Sequence, residues 1–239
     1  MKRIIMLVTL ICTVSLLTGC LYPEDNLKKN QVAYPDQLQS VQTAVNTFKQ
    51  NTGGMLPIKN SEPDTPIYQK YPVDFNRLIP DYLSDSPGNS YESGGVFQYV
   101  LIDVETNPTV KLLDLRAVEE VRELNLRVKM YREKHGYPPF KEVISEHVLA
   151  LDFEKLGYKE TPQVVSPYSE KHLPLVIDNE GNIYIDYSMD LYAKLQEGKH
   201  TYKEGDDIRP LLTADSPFVP AFSLPYTVKD GEPVFLLNK

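Results

Sequence analysis

Thiols are scarce in this chain. It contains two cysteines, Cys12 and Cys20, and none follows position 20. Whatever folds beyond that point has no disulfide, no thiol nucleophile and no cysteine-ligated metal, so a secreted domain would depend on its core alone. Tryptophan is missing, and none of the four histidines has a second ligand at zinc spacing. We therefore expect no thiol chemistry and no zinc site.

Positive charge is also in short supply. The chain has 25 Lys and Arg against 33 Asp and Glu, a net charge of −8. Removal of residues 1–19 would take away Lys2 and Arg3 and no acid, leaving 23 − 33 = −10. Such a surface repels nucleic acid and anionic lipid headgroups at long range. We therefore expect neither nucleic-acid binding nor attachment to a membrane through a patch of basic residues.

The first 20 residues have the pattern of a lipoprotein signal peptide. Lys2 and Arg3 form a basic start, and an apolar run covers residues 4–17. Leu17-Thr18-Gly19-Cys20 then matches a lipobox, in which a diacylglyceryl group is attached to the cysteine before cleavage. We predict a signal peptide over residues 1–19, lipidation of Cys20 and a lipid-anchored tether over residues 20–35. We therefore expect the protein to be located at the extracytoplasmic face of the cell membrane.

An uncleaved membrane helix is the alternative for this segment. A membrane span needs about 20 apolar residues, and here polar chain begins at Pro23. The lipoprotein interpretation is favoured, because the acyl chains on a lipobox cysteine supply lasting attachment.

The body predicts an α+β fold of two tandem helix-plus-β-hairpin units. The units cover residues 36–116 and 117–190, and a C-terminal hairpin extension covers residues 191–239. The first helix starts at Pro35-Asp36, with Asp36 as its cap, and stops at Gly53-Gly54. The second runs from Val118 to Lys134 and ends before Gly136. Apolar stripes at three- and four-residue spacing mark the core-facing sides, at Leu38, Val41, Val45 and Phe48, and at Val121, Leu124, Val128 and Tyr131.

Apolar runs separated by turn residues follow each helix and predict hairpins. The predicted strands are residues 96–102 with 110–115, 173–177 with 183–187, and an edge strand within 218–228 with 234–237 around Asp230-Gly231. Short helical turns are expected near residues 75–83 and, in the second unit, at 143–148 or 153–156.

The repeated order of elements suggests a duplication, with chance similarity as the alternative. Residues 37–115 and 118–187 would then superpose, each helix lying on its own hairpin. A binding site would most naturally lie along the junction of the two units.

No arrangement of residues predicts catalysis. The motifs HExxH, GxSxG, SxxK and the glycine-rich phosphate loop do not occur. Residues 178–182 resemble a calcium loop in composition, but their glycine falls at the fourth position rather than the sixth, which favours a hairpin turn. Adjacent Asp206 and Asp207 are more typical of a solvated turn than of a catalytic acid pair. His135 is expected to lie at the end of a helix and to contact the last carbonyls there. The sequence has 16 tyrosines, and their positions in predicted strands, as at Tyr99 and Tyr184, explain them better than a sugar-binding groove does.

The whole chain resembles a family of small lipoproteins from endospore-forming Gram-positive bacteria. The similarity is carried by residues 19–23 (GCLYP), 65–72 (TPIYQKYP), 103–110 (DVETNPTV) and 202–209 (YKEGDDIR). Members are sometimes labelled as binding proteins of ABC transporters. The resemblance implies an outer-leaflet address and no known active site, so Cys20 is the one functional residue that it carries over.

A weaker, local resemblance is to the body of type II secretion pseudopilins. A helix ending at Tyr131 is followed by Gly136-Tyr137-Pro138 and later by a hairpin. The pseudopilin leader with its long hydrophobic spine is absent from this sequence. The resemblance implies a small α+β unit and not filament assembly.

Three functions are weighed against these observations. The first is a non-catalytic surface module that binds an envelope protein or wall polymer, without a metal or other cofactor. The second is a solute-binding lipoprotein of an ABC-type transporter, which usually has two α/β lobes around a cleft. The third is a hydrolase, which lacks support from any motif. The first is favoured.

Overall fold

A computed structural model describes residues 35–198 and 200–236. The predicted signal peptide, Cys20 and all but the last residue of the predicted tether lie outside these described residues. Within them, four α-helices and several small antiparallel sheets form a mixed α+β fold, as the sequence predicts. No helix in the described part is long and apolar enough to cross a membrane.

The elements are numbered along the chain. The helices are α1 (Pro35–Asn51), α2 (Leu115–His135), α3 (Ser188–Gln196) and α4 (Pro210–Ala214), with short 3-10 helices at Phe75–Arg77 and Tyr91–Ser93. The strands are β1 (Phe97–Ile102), β2 (Thr109–Asp114), β3 (Phe140–Ser145), β4 (Val148–Leu151), β5 (Val164–Val165), β6 (His172–Leu173), β7 (Leu175–Asp178), β8 (Ile183–Ile185), β9 (Tyr226–Lys229) and β10 (Glu232–Phe235).

Helix α1 packs on the β1–β2 hairpin. Its predicted stripe is confirmed, since Val41, Val45 and Phe48 are buried in one cluster with the inward face of the hairpin. Asp36 lies in the first turn of the helix, so its predicted role as the cap is wrong. The Gln42 side chain joins the two elements, because it accepts from the Val110 amide at 2.7 Å and donates to a hairpin-turn carbonyl.

Helix α2 packs on a four-stranded antiparallel sheet of order β3-β4-β7-β8. Val121, Leu124 and Val128 lie in one buried cluster with Ile183 and Ile185 of β8, as the sequence predicts. The apolar stripe and the sheet face therefore form a common core, which is the main source of stability for a helix–sheet layer.

Residues 143–148 form a hairpin, so the predicted helical turn there is wrong. Strands β3 and β4 meet at a two-residue turn, Glu146-His147, and Ser145 pairs with Val148. The turn residues do not have positive φ. Irregularities in the ladder let the chain reverse without the Asn-Gly or Asp-Gly pair that marks most tight hairpins, so the sequence carried no turn signal. The alternative turn at 153–156 is present, with the Leu156 amide bonded to the Phe153 carbonyl.

The C-terminal region contains two helices that the sequence did not predict, α3 and α4. Its hairpin is confirmed, with β9 and β10 joined by Asp230 and Gly231 at φ 52° and 81°. Positive φ at both central residues is the requirement of the tight turn that matches strand twist. The strand is shorter than predicted, since β9 begins at Tyr226, directly after Pro225.

Residues 216–226, here named the C-terminal strap, join the two units. The Leu112 amide of β2 donates to Pro217, and Val219 donates back to Leu112, so the strap runs beside this hairpin. Further along, the carbonyl of Phe222 accepts from Ile185 of β8. The strap is therefore bonded to an edge of both sheets.

The strap also fills the junction at which the sequence analysis placed a binding site. Val219 and Ala221 are buried against Val100 and Leu113 of the hairpin and against Tyr68. Full burial of an aliphatic side chain stabilises a fold by about 1.5–3 kcal/mol. Both faces of the β1–β2 hairpin are thus covered, one by α1 and the other by the strap.

The two units share the order helix, connecting turns, hairpin, and each helix shares a buried cluster with its own hairpin. They differ because the second unit inserts β3 and β4, which widen its hairpin to four strands. Common ancestry of the two units stays a prediction.

Candidate functional site

A groove along the outer side of α2 has the features of a binding surface. It is here named the α2 groove and has a volume of about 490 Å³. Its lining residues come from α2 and from the segment after β4, and they are Glu123, Leu126, Arg127, Met130, Tyr131, Lys134, His135, Lys155 and Leu156.

Two large apolar side chains on α2 face solvent in this groove. Leu126 is 60% exposed and Met130 is 63% exposed, although the helix buries Val121, Leu124 and Val128 on its other side. Single exposed apolar residues are common on protein surfaces, but a pair four residues apart forms a continuous ridge on a helix. A ridge beside a concave surface is typical of a protein-docking site.

An aromatic group closes one end of the groove. The Tyr131 and His135 rings stack with centroids 4.1 Å apart, and Tyr137 meets Tyr131 edge-on at 5.9 Å. Gly136 makes this possible, because its φ of 81° ends α2 and turns the chain back toward the helix. The hydrogen bond with Tyr137 raises the pKa of Tyr131, so the Tyr131 hydroxyl keeps its proton at physiological pH.

The groove carries more positive than negative charge. Three cations, Arg127, Lys134 and Lys155, line it with one carboxylate, Glu123, which gives 3 − 1 = +2 from the Lys, Arg, Asp and Glu side chains of the lining. The whole chain has a net charge of −8, so this surface differs in sign from the average.

Two of the cations are held in place by carboxylates. Arg127 pairs with Glu123 at 2.9 Å and lies 4.3 Å from the centroid of the Tyr158 ring. Lys155 pairs with Asp152 at 3.0 Å, and this contact lowers the pKa of Asp152. Lys134 is exposed and has no ion pair among the described residues. Two of the three cations are therefore paired within the chain, and Lys134, near the aromatic end, has no ion pair among the described residues.

The groove offers apolar, aromatic and cationic side chains, which are the contacts that protein partners use. In residues 35–198 and 200–236 no cluster of three or more His, Cys, Asp or Glu side chains could hold a metal ion. His135 lies at the end of α2, as the sequence predicts, and contributes an aromatic face to the groove.

The other candidates from the sequence have structural contacts. Asp178 begins the β7–β8 turn, where its carboxylate accepts from the Gly181 and Asn182 amides and from the Tyr184 hydroxyl. These bonds confirm the hairpin turn at residues 178–182.

Asp206 and Asp207 do not act as a pair. Asp206 accepts from the Lys203 amide, whereas Asp207 pairs with Arg209 at 2.7 Å. The Arg209 guanidinium lies over the Tyr68 ring and donates to the Ser223 carbonyl, so it contributes to the packing of the junction.

Tyrosines lie in strands as predicted at Tyr99 and Tyr184. The Tyr99 hydroxyl donates to Asn89 at 2.8 Å inside the first unit. Burial raises the pKa of Tyr99 to about 12. These two rings lie in the body of the fold rather than in a sugar-binding groove.

Comparison with known families finds a match for the N-terminal part of the described chain. Residues 34–114 match the YphF family N-terminal domain. The match runs from α1 to the last residue of β2, so the domain corresponds to α1 and the β1–β2 hairpin. No curated protein and no solved structure matches the chain.

The α2 groove lies C-terminal to the segment that matches the YphF family N-terminal domain. The first residue of α2 follows directly after the last matched residue. Through the strap, however, the domain is bonded to the same body that carries the groove. Sequence reasoning did not single out Leu126 and Met130, although their four-residue spacing on the polar side of the stripe was a usable signal.

Proposed function

We propose that this chain is a lipid-anchored extracytoplasmic lipoprotein that acts as a non-catalytic binding module of the cell envelope. The lipobox at Leu17–Cys20 supports the anchor, and the α2 groove supports the binding role. The exposure of Leu126 and Met130 carries the second part, because their burial against a partner would remove apolar surface from water.

The anchor gives this binding module its location. Lipid on Cys20 would hold the folded body near the outer leaflet through the tether. A protein confined to a surface meets other membrane proteins at a raised effective concentration, so a modest groove can support a stable complex. We propose no enzymatic step and no cofactor.

A solute-binding lipoprotein of a transporter is the alternative function. Proteins with that role usually bind solute in a cleft between two lobes, and here the junction of the two units is filled by Val219, Ala221 and Tyr68. The packing at the junction therefore favours the binding module.

The anchor is tested by Cys20→Ala with Cys12→Ala as the matched control. We expect Cys20→Ala to block processing or release the protein into the medium, because acyl chains supply the lasting hold. Cys12→Ala should fractionate as the wild type does. The measurements are the size of the chain and its distribution between membrane and medium after a high-salt wash, and retention of a processed Cys20→Ala chain on membranes would contradict the proposed anchor.

A further inference from the structure

We infer that the α2 groove accepts an amphipathic, acidic helix of a partner protein, about three turns long. This inference rests on the proposed function, because it names the chemistry of the partner that the groove would bind.

The dimensions of the groove fit a short helix. It extends along α2 from Glu123 to Lys134, which is eleven steps of the helix. At 1.5 Å for each step, this gives a length of about 17 Å, or about three turns. Leu156 forms a buried wall at one side, 8% exposed, and the ridge of Leu126 and Met130 forms the other.

The backbone favours a helix over an extended segment as the occupant. The amides and carbonyls of α2 are bonded within the helix, so the groove offers side chains rather than a free strand edge. An extended segment would lose its bonds to water without gaining backbone partners here. A helix brings its own backbone bonds and can lay an apolar stripe against the ridge.

The ridge has the spacing that helix packing requires. Leu126 and Met130 are four residues apart, and rows of this spacing fit into the grooves of a second helix. Methionine has a flexible, polarizable side chain that adapts to the surface of a partner. The aromatic end at Tyr131 and His135 would then limit how far the partner extends.

The charges favour an acidic partner. Arg127 and Lys155 are partly compensated by Glu123 and Asp152, while Lys134 stands exposed beside the aromatic end. A carboxylate on the partner would pair with Lys134 at the rim, where charge sets partner choice more than affinity.

Other occupants fit less well. An anionic wall polymer would satisfy the cations but would leave the apolar ridge uncovered. A second copy of the processed chain would have a net charge of 23 − 33 = −10, but its own α2 ridge is flanked by the same cations, Arg127 and Lys134, which would repel those of the first copy. Both are outcomes of the experiment that follows.

The experiment measures binding of defined peptides to the full-length acylated chain in zwitterionic vesicles. The probe is a fluorescent three-turn helical peptide with leucines on one face and glutamates elsewhere, and its control has lysines in place of the glutamates. We expect the acidic peptide to bind more tightly. Met130→Glu should weaken its binding by about tenfold or more, whereas Met55→Glu, at another exposed methionine (55%), should not.

A charge exchange isolates the electrostatic part. Lys134→Glu should weaken binding of the acidic peptide about three- to fivefold and strengthen binding of the lysine peptide, since exposed ion pairs have effects of this size. Thermal unfolding of each variant should match the wild type, because the substituted side chains are exposed.

The outcomes separate this inference from the proposed function. Equal binding of both peptides, failure of both to bind, displacement by poly(glycerol phosphate), or self-association through the groove would each overturn the acidic-helix partner. A photocrosslink from position 126 to an envelope protein in cells would still support the proposed function in those cases. Tight peptide binding without any such crosslink would support the groove chemistry and count against the proposed function.

Discussion

The hydroxyl of Tyr226 connects the C-terminal hairpin to the second unit, and its removal gives a sharp test of the fold. The hydroxyl donates to Asp186 at 2.8 Å and accepts from the Tyr187 amide at 3.1 Å. The ring is 1% exposed. Tyr226→Phe keeps the ring and removes both bonds.

The magnitude follows from these two contacts. A hydrogen bond to a charged group contributes about 1.5–3 kcal/mol, and a buried amide left without a partner costs about 1–3 kcal/mol. We expect Tyr226→Phe to lower the free energy of unfolding by about 3 kcal/mol. For a chain of this size, that corresponds to a fall in melting temperature of about 6–12 °C.

Tyr168 provides the matched control. Its hydroxyl oxygen is buried and has no hydrogen-bond partner among the described residues. Tyr168→Phe removes an unsatisfied polar atom, so we expect the free energy of unfolding to rise by about 1 kcal/mol. Both variants are measured by urea denaturation followed by circular dichroism on the detergent-solubilised chain. Equal losses in the two variants, or a change below about 0.5 kcal/mol for Tyr226→Phe, would refute the assignment of these hydroxyls.

Two further predictions test the core and the strap. Burial raises the pKa of Tyr68, Tyr168, Tyr187 and Tyr226, so above pH 10 the unfolded chain loses protons that the folded chain keeps. Stability is therefore complete below pH 10 and falls by about 5 kcal/mol for each further pH unit, at about 1.4 kcal/mol for each tyrosine. Tyrosinate absorbance should show a late, cooperative phase that coincides with loss of circular dichroism; smooth titration of all tyrosines near pH 10 in a folded chain would contradict this. Lys111 donates to the Thr213 and Ser216 carbonyls at 2.6 Å each. Lys111→Met should therefore lower the free energy of unfolding by about 2 kcal/mol and speed hydrogen exchange in residues 213–222. Lys159→Met, at an exposed site, should change neither.

Helices and hairpins with strong local signals could be predicted from the sequence. The apolar stripes containing Val45 and Leu124 predicted the buried faces of α1 and α2, and Asp230-Gly231 predicted the turn of the last hairpin. In each case the determinant is local, because periodicity and positive φ are properties of neighbouring residues.

Features that depend on distant contacts could not be predicted. The β3–β4 hairpin has no glycine at its turn, and its inner strand, β4, is specified by pairing with β7. The short helices α3 and α4 are fixed by packing of Leu191 and Leu212 into the core of the second unit. The strap was mistaken for a free edge strand, because nothing local shows that Phe218 pairs with Leu112, over one hundred residues earlier in the chain.

The elements around the candidate site could be predicted from the sequence, but the groove itself could not. The helix, its end at Gly136 and the position of His135 could be predicted, but the predicted binding surface lay at the junction of the units. There, the strap occupies the space. The α2 groove depends on the segment carrying Lys155 and Leu156, which comes to lie beside α2 through the β3–β4 hairpin that was missed.

The most direct test of the proposed binding module is photocrosslinking in intact cells from a benzoyl-phenylalanine placed at position 126. Position 91 is the control, because Tyr91 is also exposed (66%) but lies on the first unit, away from the groove. We predict a discrete adduct with an envelope protein from position 126, absent from position 91, lost in Met130→Glu and reduced in Cys20→Ala. The same adducts from both positions, or an adduct from position 126 that neither substitution changes, would contradict the account.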